Sequence, residues 1–352
     1  MKILIDGRLL SNKETGISRY TENLIDIYVE LFGKKNIILI IPANLKKTFN
    51  GVQIIKTDLY PFKILDFFKF HKLLQTIEFD VYHSMFYSNS FFKLKNKIYI
   101  TTVHDLMYKI VSNFFYENKI KNFLAIRYFD FIVFKSLKNS DFIISVSQTT
   151  KNDIKRLFNK DSIVISEGVN ELKVNEEELQ IDTNMIKSKQ YFLYVGNNRP
   201  HKNIKFLKEC YLKSKTNKKL VIVGHKGKNL KIDNKEIIYT GFINDFTLKY
   251  LYENAVAFVF PSLYEGFGLP ILEAINFNTF VFSSNGGALK EFGNYNIEYF
   301  DPNKEEELIN LLNNADNFVF DESKKDKLLS KYNWNETKKQ LKRFYKEFLK
   351  NE

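Results

Sequence analysis

Short continuous apolar runs alternate along the chain with longer stretches of helical period, the pattern of a parallel sheet wrapped by helices. In the first half the runs that read as strands are Lys2–Ile5, Ile37–Ile41, Val52–Ile55, Asp80–His83, Ile98–Val103, Phe142–Val146 and Ile163–Ile165. In the second half they are Tyr191–Val195, Leu220–Val223, Ile237–Thr240, Val256–Phe260, Thr279–Ser283 and Glu298–Phe300. Glu171–Gln190 between them is polar, acidic at its start and without a hydrophobic period, which predicts a linker. Apolar Leu341, Phe344, Tyr345, Phe348 and Leu349 predict a terminal helix from Trp334 to Leu349, with Asn333 or Asn335 placed to cap it. The expected class is therefore α/β, with two doubly wound Rossmann-like domains at 1–172 and 191–332, a linker at 173–190 and a helix at 333–352.

Glycine position sorts the chemistry. Most of the 14 glycines gather just after expected strands, among them Gly7, Gly196, Gly224, Gly266, Gly268 and Gly287. In open α/β sheets ligands bind at those carboxyl ends, where backbone must come close. The richest stretch is Phe260–Ala274: a strand runs into a loop holding Glu265, Gly266 and Gly268, and Pro270 marks the first turn of a helix. Amides of Phe267, Gly268 and Leu269 at the positive end of that helix are a ready site for a diphosphate or sugar oxygen. Glu273, eight residues beyond Glu265, is placed to accept from a ribose diol.

Glu265-Gly-Phe-Gly-Leu-Pro-x-x-Glu273 resembles the Glu-x7-Glu signature of the retaining glycosyltransferases of family 4, which have the GT-B fold. Further matches run in order along nearly the whole chain: Asp6-Gly7-Arg8 with Gly16-Ile-Ser-Arg19-Tyr20, then Val103-His104-Asp105-Leu106 and Ser145-Val-Ser147 with Thr150-Lys-Asn-Asp153. Tyr194-Val-Gly196 through Pro200-His-Lys202-Asn203, and Ser284-Asn-Gly-Gly287 with Glu291, complete the series. The resemblance implies two domains facing each other across a cleft, with the terminal helix crossing back to the first.

The roles it implies are specific. Gly16 would lie on the loop approaching the donor diphosphate or acceptor, and Lys202 would neutralise the diphosphate, with Arg199 and Asn197 beside it. Glu265 would hold the hydroxyls of the transferred sugar, and His104 would steady charge at the reacting carbon. Arg19, Tyr20 and Asp105 would face the acceptor. His201 stands where the family commonly has arginine, and Asn197 where some members have one, with Arg199 placed to compensate.

Charge and composition then narrow the reading. Lys and Arg number 53 against 41 Asp and Glu, a formal +12. A basic balance fits nucleic acid, an anionic membrane face or phosphorylated substrates, or reflects only a Lys/Asn/Ile/Phe-rich coding bias. No zinc-finger spacing, basic-region helix or aromatic RNA motif accompanies it, so no nucleic-acid partner is expected. The single cysteine, Cys210, excludes a disulfide framework and a cysteine-based zinc site. No Asp-x-Asp pair occurs, so no metal or other cofactor is expected and the leaving-group charge falls to Lys202 and helix-end amides. Gly266-x-Gly268 lacks the third glycine of a dinucleotide fingerprint, and no P-loop is present. No apolar run spans a membrane, and Met1-Lys2 leads straight into strand-like residues, so a cytoplasmic protein without signal peptide is expected.

Between Tyr60 and Asn139, phenylalanines and lysines interleave, as in Phe67-Phe-Lys-Phe70 and Phe131-Ile-Val-Phe134-Lys135. Exposed surface of that kind docks on anionic lipid, and the competing expectation is that these rings are core. With it comes a lipid-linked acceptor, a polyprenyl-diphosphate glycan of a bacterial surface polysaccharide such as O-antigen, reached at the inner face of the cytoplasmic membrane. The expected activity is retaining transfer of a hexose or N-acetylhexosamine from a nucleotide sugar, with UDP slightly favoured over GDP. Alternatives are a GDP-mannose-dependent α-mannosyltransferase, a nucleotide-sugar epimerase of the same fold, an inactive transferase partner, or a basic nucleic-acid- or membrane-binding protein.

Overall fold

The computed structural model describes residues 1–13, 15–169, 178–183, 186–224 and 237–348. They form two compact units, one of Met1–Glu167 with Thr337–Glu352, the other of Gly168–Glu336. The first holds a seven-stranded sheet of β1 Ile3–Asp6, β2 Ile37–Pro42, β3 Gln53–Thr57, β4 Val81–Ser84, β5 Ile98–Val103, β6 Phe142–Ser145 and β7 Ile163–Val164. Its order is β3-β2-β1-β4-β5-β6-β7, and every pairing is parallel. The second holds β8 Tyr191–Val195, β9 Lys219–Val223, β10 Ile237–Gly241, β11 Ala257–Phe260, β12 Phe280–Ser284 and β13 Ile297–Phe300, all parallel in the order β10-β9-β8-β11-β12-β13. All thirteen expected strands are present, shifted at most by a residue or two at their ends.

Both sheets are doubly wound, so each has a place where the strand order reverses: between β1 and β4 in the first and between β8 and β11 in the second. The strands are continuous apolar runs because helices cover both faces; Ile3, Leu4 and Ile5 are all fully buried, as are Phe258, Val259 and Phe260. Each such side chain removed from water contributes about 1.5–3 kcal/mol against the conformational entropy of ordering the chain.

The described part of the expected linker is packed on the second unit: the Gln180 amide donates to Thr247 Oγ1 at 3.0 Å and the Lys189 amide to the Asn254 carbonyl at 2.7 Å. Residues 170–177 and 184–185 of that stretch lie outside the described residues. The terminal helix is Trp334–Phe348, capped by Asn333, whose Oδ1 accepts from the Glu336 amide at 2.9 Å; Leu349 lies outside the described residues. From Thr337 onward this helix belongs to the first unit, where Leu341, Phe344 and Tyr345 are buried. Finally, Asp6-Gly7-Arg8 is a packing motif. Arg8 Nε and Nη2 grip Asp6 at 2.9 and 2.7 Å, and the guanidinium lies 3.4 Å over the Phe70 ring. No helix among the described residues is long and apolar enough to cross a membrane.

Candidate functional site

In the first unit the site is built at strand ends. His104 follows β5, Met85 follows β4, and Glu167 lies just past β7. The imidazole Nδ1 is 3.0 Å from Glu167 Oε1 and Nε2 is 2.9 Å from the Met85 carbonyl oxygen. The His104 carbonyl accepts from Thr150 Oγ1 at 3.1 Å, in a helix whose cap is Ser147. Burial alone would lower the His104 pKa; the Glu167 hydrogen bond and charge, the Met85 carbonyl and Asp105 outweigh it, and the value rises.

Tyr20 was expected to face an acceptor. It is buried instead, its ring edge-on to the His104 imidazole at 4.6 Å and its hydroxyl 3.3 Å from Thr102 Oγ1. The tyrosine sits on the inner side of an amphipathic helix, so it supports His104 from within the fold. Thr102 Oγ1 also lies 2.9 Å from His83 Nε2, and His83 Nδ1 lies 2.6 Å from Tyr28 OH, which meets Tyr345 OH at 3.0 Å. A chain of polar groups thus joins the terminal helix to the floor under His104. Burial, with a smaller push from His104, drops the His83 pKa to about 3.

Gly16 is the first residue of the helix Gly16–Phe32, not a loop residue, and Thr15 Oγ1 caps that helix through the Ser18 amide. A Cβ built at Gly16 would meet nothing within 4 Å, so packing does not require glycine there. Arg19 is half-buried on the same helix, and Asp105 Oδ1 accepts from the Met107 amide at 3.0 Å.

The second unit brings its charged candidates to the reversal point of its sheet. Lys202 ends the turn Pro200–Lys202 after β8, and Glu265 lies in the loop after the neighbouring β11. Lys202 Nζ is 2.7 Å from Glu265 Oε1 and 5.1 Å above the Phe260 ring. Both side chains are largely buried, so the loss of either would leave a costly unpaired charge. His201 is buried beside them; burial first, then Lys202 and Arg199, outweigh Glu265 and bring its pKa down to about 4. It is neutral at pH 7 and supplies no second cation. Asn197 and Arg199 are exposed, with Asn197 Oδ1 accepting from the Arg199 amide at 3.2 Å.

The Glu265 loop is held by glycines. Gly268 caps the helix Leu269–Asn276 at φ 123°, and the first-turn Pro270 stands where the sequence placed it. A Cβ on Gly287 would fall 2.3 Å from the Glu265 carbonyl oxygen, which accepts from the Ala288 amide at 2.9 Å. Phe267 is packed edge-on to Phe292 and Tyr332, and Gly266 is buried. Glu273, on the helix, is buried with Oε2 accepting from Tyr252 OH at 3.3 Å. The sequence offers the loops Gly224–Asn229 and Gly241–Phe246 for contact with the base, and of these residues 225–229 lie outside the described residues.

Residue Glu167 carried no motif, and nothing in its local sequence pointed to it. Its partner is 63 residues away, and only the fold brings them together.

Two family models match the chain: Glycosyltransferase Family 4 over residues 42–171 and Glycosyl transferases group 1 over residues 175–315. The chain belongs to glycosyltransferase family 4. This family 4 chain is 29% identical over 216 residues to O-antigen chain mannosyltransferase B of Escherichia coli, 54% of each protein. It is 27% identical over 249 residues to O-antigen chain mannosyltransferase RfbU of Salmonella typhimurium, covering 68% of this chain and 67% of that one. The match thus spans about half the length of the first relative and two thirds of the second. Its fold is that of GT-B glycosyltransferases: sucrose-phosphate synthase from Thermosynechococcus elongatus aligns over both whole chains with a TM-score of 0.77 at 15% identity. The lipopolysaccharide outer core galactosyltransferase WaaB aligns over 97% of this chain and 98% of its own with a TM-score of 0.67, again at 15% identity.

Proposed function

We propose that this family 4 protein transfers a mannosyl residue, with retention, from GDP-mannose to a lipid-linked glycan acceptor in the synthesis of a bacterial surface polysaccharide. The observation that carries the transfer chemistry is the Lys202–Glu265 pair at 2.7 Å, set at the sheet's reversal point beside the helix that bears Glu273. A cation and two carboxylates at strand ends match what a nucleotide sugar presents: a diphosphate, sugar hydroxyls and a ribose diol. Lys202 neutralises the leaving diphosphate, Glu265 holds the sugar and Glu273 the ribose. His104 is given the role the resemblance implies, steadying charge at the reacting carbon.

Transfer runs on one face of the sugar. The bond from the anomeric carbon to the diphosphate breaks, the bond to the acceptor oxygen forms, and the acceptor's proton passes to the departing phosphate oxygen. No carboxylate is placed by the sequence as a nucleophile beneath the ring, which favours this route over a covalent intermediate. Developing negative charge is met by Lys202 and the amides opening the helix Leu269–Asn276.

Mannose is supported by the two O-antigen mannosyltransferases among the relatives, and GDP is the nucleotide of the mannosyltransferase alternative read from the sequence. UDP, the base first favoured from sequence, remains a second reading. A donor screen separates them. GDP-mannose is expected to transfer radiolabel to a polyprenyl-diphosphate oligosaccharide, and GDP to raise the melting temperature more than UDP. Stabilisation by UDP alone, with turnover of a UDP-sugar, would replace the first reading by the second.

A further inference from the structure

The helix Lys119–Asn139 has two apolar faces. Its inner face packs Val133 and Leu137, with half-buried Ile126 and Phe129, against the core around Val103 and Ile154. Its outer face carries Ile120, Phe123, Leu124, Phe131 and Phe134 at 72%, 59%, 61%, 47% and 48% exposure. Those positions fall at helical spacing, so they form one stripe where a surface helix ordinarily places polar residues.

The stripe does not stop at the helix. Phe91 stacks on Phe67 at 3.8 Å and meets Phe131 edge-on at 5.5 Å, while exposed Phe92 lies 5.9 Å from exposed Phe68 on the neighbouring helix Ile64–Gln75. Ile64 and Leu65 of that helix are exposed as well. The rings expected to be either surface or core therefore divide: Phe67 and Phe70 are core, and Phe68, Phe92, Phe131 and Phe134 are surface.

Charge selects the occupant. The helix bears Lys119, Lys121, Arg127, Lys135 and Lys138 against one acid, Asp130, which is taken up by Tyr108 and Lys109. A cavity of about 360 Å³ opens beside the stripe, with Arg127 next to Phe131 and Phe134. A cation above an apolar recess suits a lipid headgroup whose chains lie below it. We propose that the outer face of Lys119–Asn139, with the adjoining Phe68 and Phe92, inserts shallowly into an anionic bilayer. A lipid-linked acceptor gives the docking a purpose under the proposed transfer, but the surface stands on its own observations.

The test uses the whole protein and vesicles of phosphatidylcholine with or without about a third phosphatidylglycerol. Cosedimentation is expected with the anionic vesicles, falling steeply between low and high salt because the attraction is screened within about 10 Å. Phe123→Ser with Leu124→Ser, at exposed positions, is expected to lower the vesicle association constant at least tenfold. Lys119→Glu with Lys121→Glu should do the same. A Phe123→Trp reporter should shift its emission to the blue on binding. Nucleotide-induced thermal stabilisation, read in the second unit, should stay unchanged in every variant, which separates this proposal from the transfer reading. Equal binding to neutral vesicles, or none to anionic ones, would overturn it. So would self-association in solution abolished by Phe123→Ser, which would give the face to a second copy.

Discussion

Both ring nitrogens of His104 point at acceptors: Nδ1 at Glu167 Oε1, 3.0 Å away, and Nε2 at the Met85 carbonyl, 2.9 Å away. A carbonyl oxygen only accepts, so Nε2 carries its hydrogen, and Glu167 Oε1 is placed to accept from Nδ1 when that nitrogen is protonated. Both contacts favour the protonated form of the imidazole, in keeping with the rise of its pKa.

Glu167→Gln should reverse the direction of the His104 shift. Without the carboxylate, burial becomes the dominant influence and the pKa should fall below its ordinary 6.5, a change visible in imidazole NMR. Turnover of the proposed transfer should drop about ten- to a hundredfold, with donor affinity little changed, because Glu167 acts through His104 and lies outside the donor-binding unit. An unmoved imidazole titration would count against this role.

Gly287→Ala tests how the Glu265 loop is held. The added methyl would sit 2.3 Å from the Glu265 carbonyl oxygen at a backbone φ of 62°. The methyl group must displace the loop, since a left-handed conformation already costs about 1–2 kcal/mol for a residue with a side chain. We expect turnover to fall further than the melting temperature explains. Gly16→Ala, where a Cβ meets nothing, should leave stability intact, so any loss of activity there reports on ligand rather than packing.

Glu273→Ala and Glu265→Ala should separate binding from chemistry. Losing a charged acceptor for the ribose costs roughly 1–3 kcal/mol, about ten- to a hundredfold in donor affinity. Glu265→Ala should lower kcat more than affinity, because Lys202 then keeps its charge for the diphosphate. Isothermal titration with donor, beside steady-state rates, checks both. Unchanged kinetics in the two variants would remove these residues from the site.

Transfer should persist in EDTA. The expectation rests on the absence of Asp-x-Asp from the sequence and on Lys202 as a fixed counter-charge at the proposed diphosphate position. Activity lost in EDTA and restored by Mg²⁺ or Mn²⁺ would require a divalent ion at the site.

Stability should decline on mild acidification. His83 and His201 are held neutral, with pKa values near 3 and 4 against an ordinary 6.5, each chiefly through burial. Groups of this kind contribute stability that is whole above about 6.5 and is lost as pH falls toward their folded values, because the unfolded chain takes up the proton first. Each adds a slope of about 1.4 kcal/mol per pH unit across that window. His104, raised, has the opposite sign: its contribution is whole below 6.5 and is lost as pH rises through its folded value. Denaturant unfolding from pH 7 to 5 should show the decline, and His83→Gln should make it shallower by about one proton.

Strand placement and the motif from Glu265 to Glu273 were legible in the sequence because each is local. Period, turn residues and caps act within a few positions, and all thirteen strands follow from them. Motif spacing also placed Lys202 and Glu265 in one half of the chain. Their 2.7 Å contact needed the sheet order, which sets β8 beside β11. What tertiary structure alone decided is which faces are inside. Tyr20 lies under His104, Asp6 and Arg8 are spent on each other, and Glu167 reaches His104 across 63 residues. Whether the Phe/Lys residues of Lys119–Asn139 are surface or core was left open for the same reason. With apolar residues on both sides of that helix, periodicity cannot choose the buried face; packing against Val103 and Ile154 chose one and left the other to solvent.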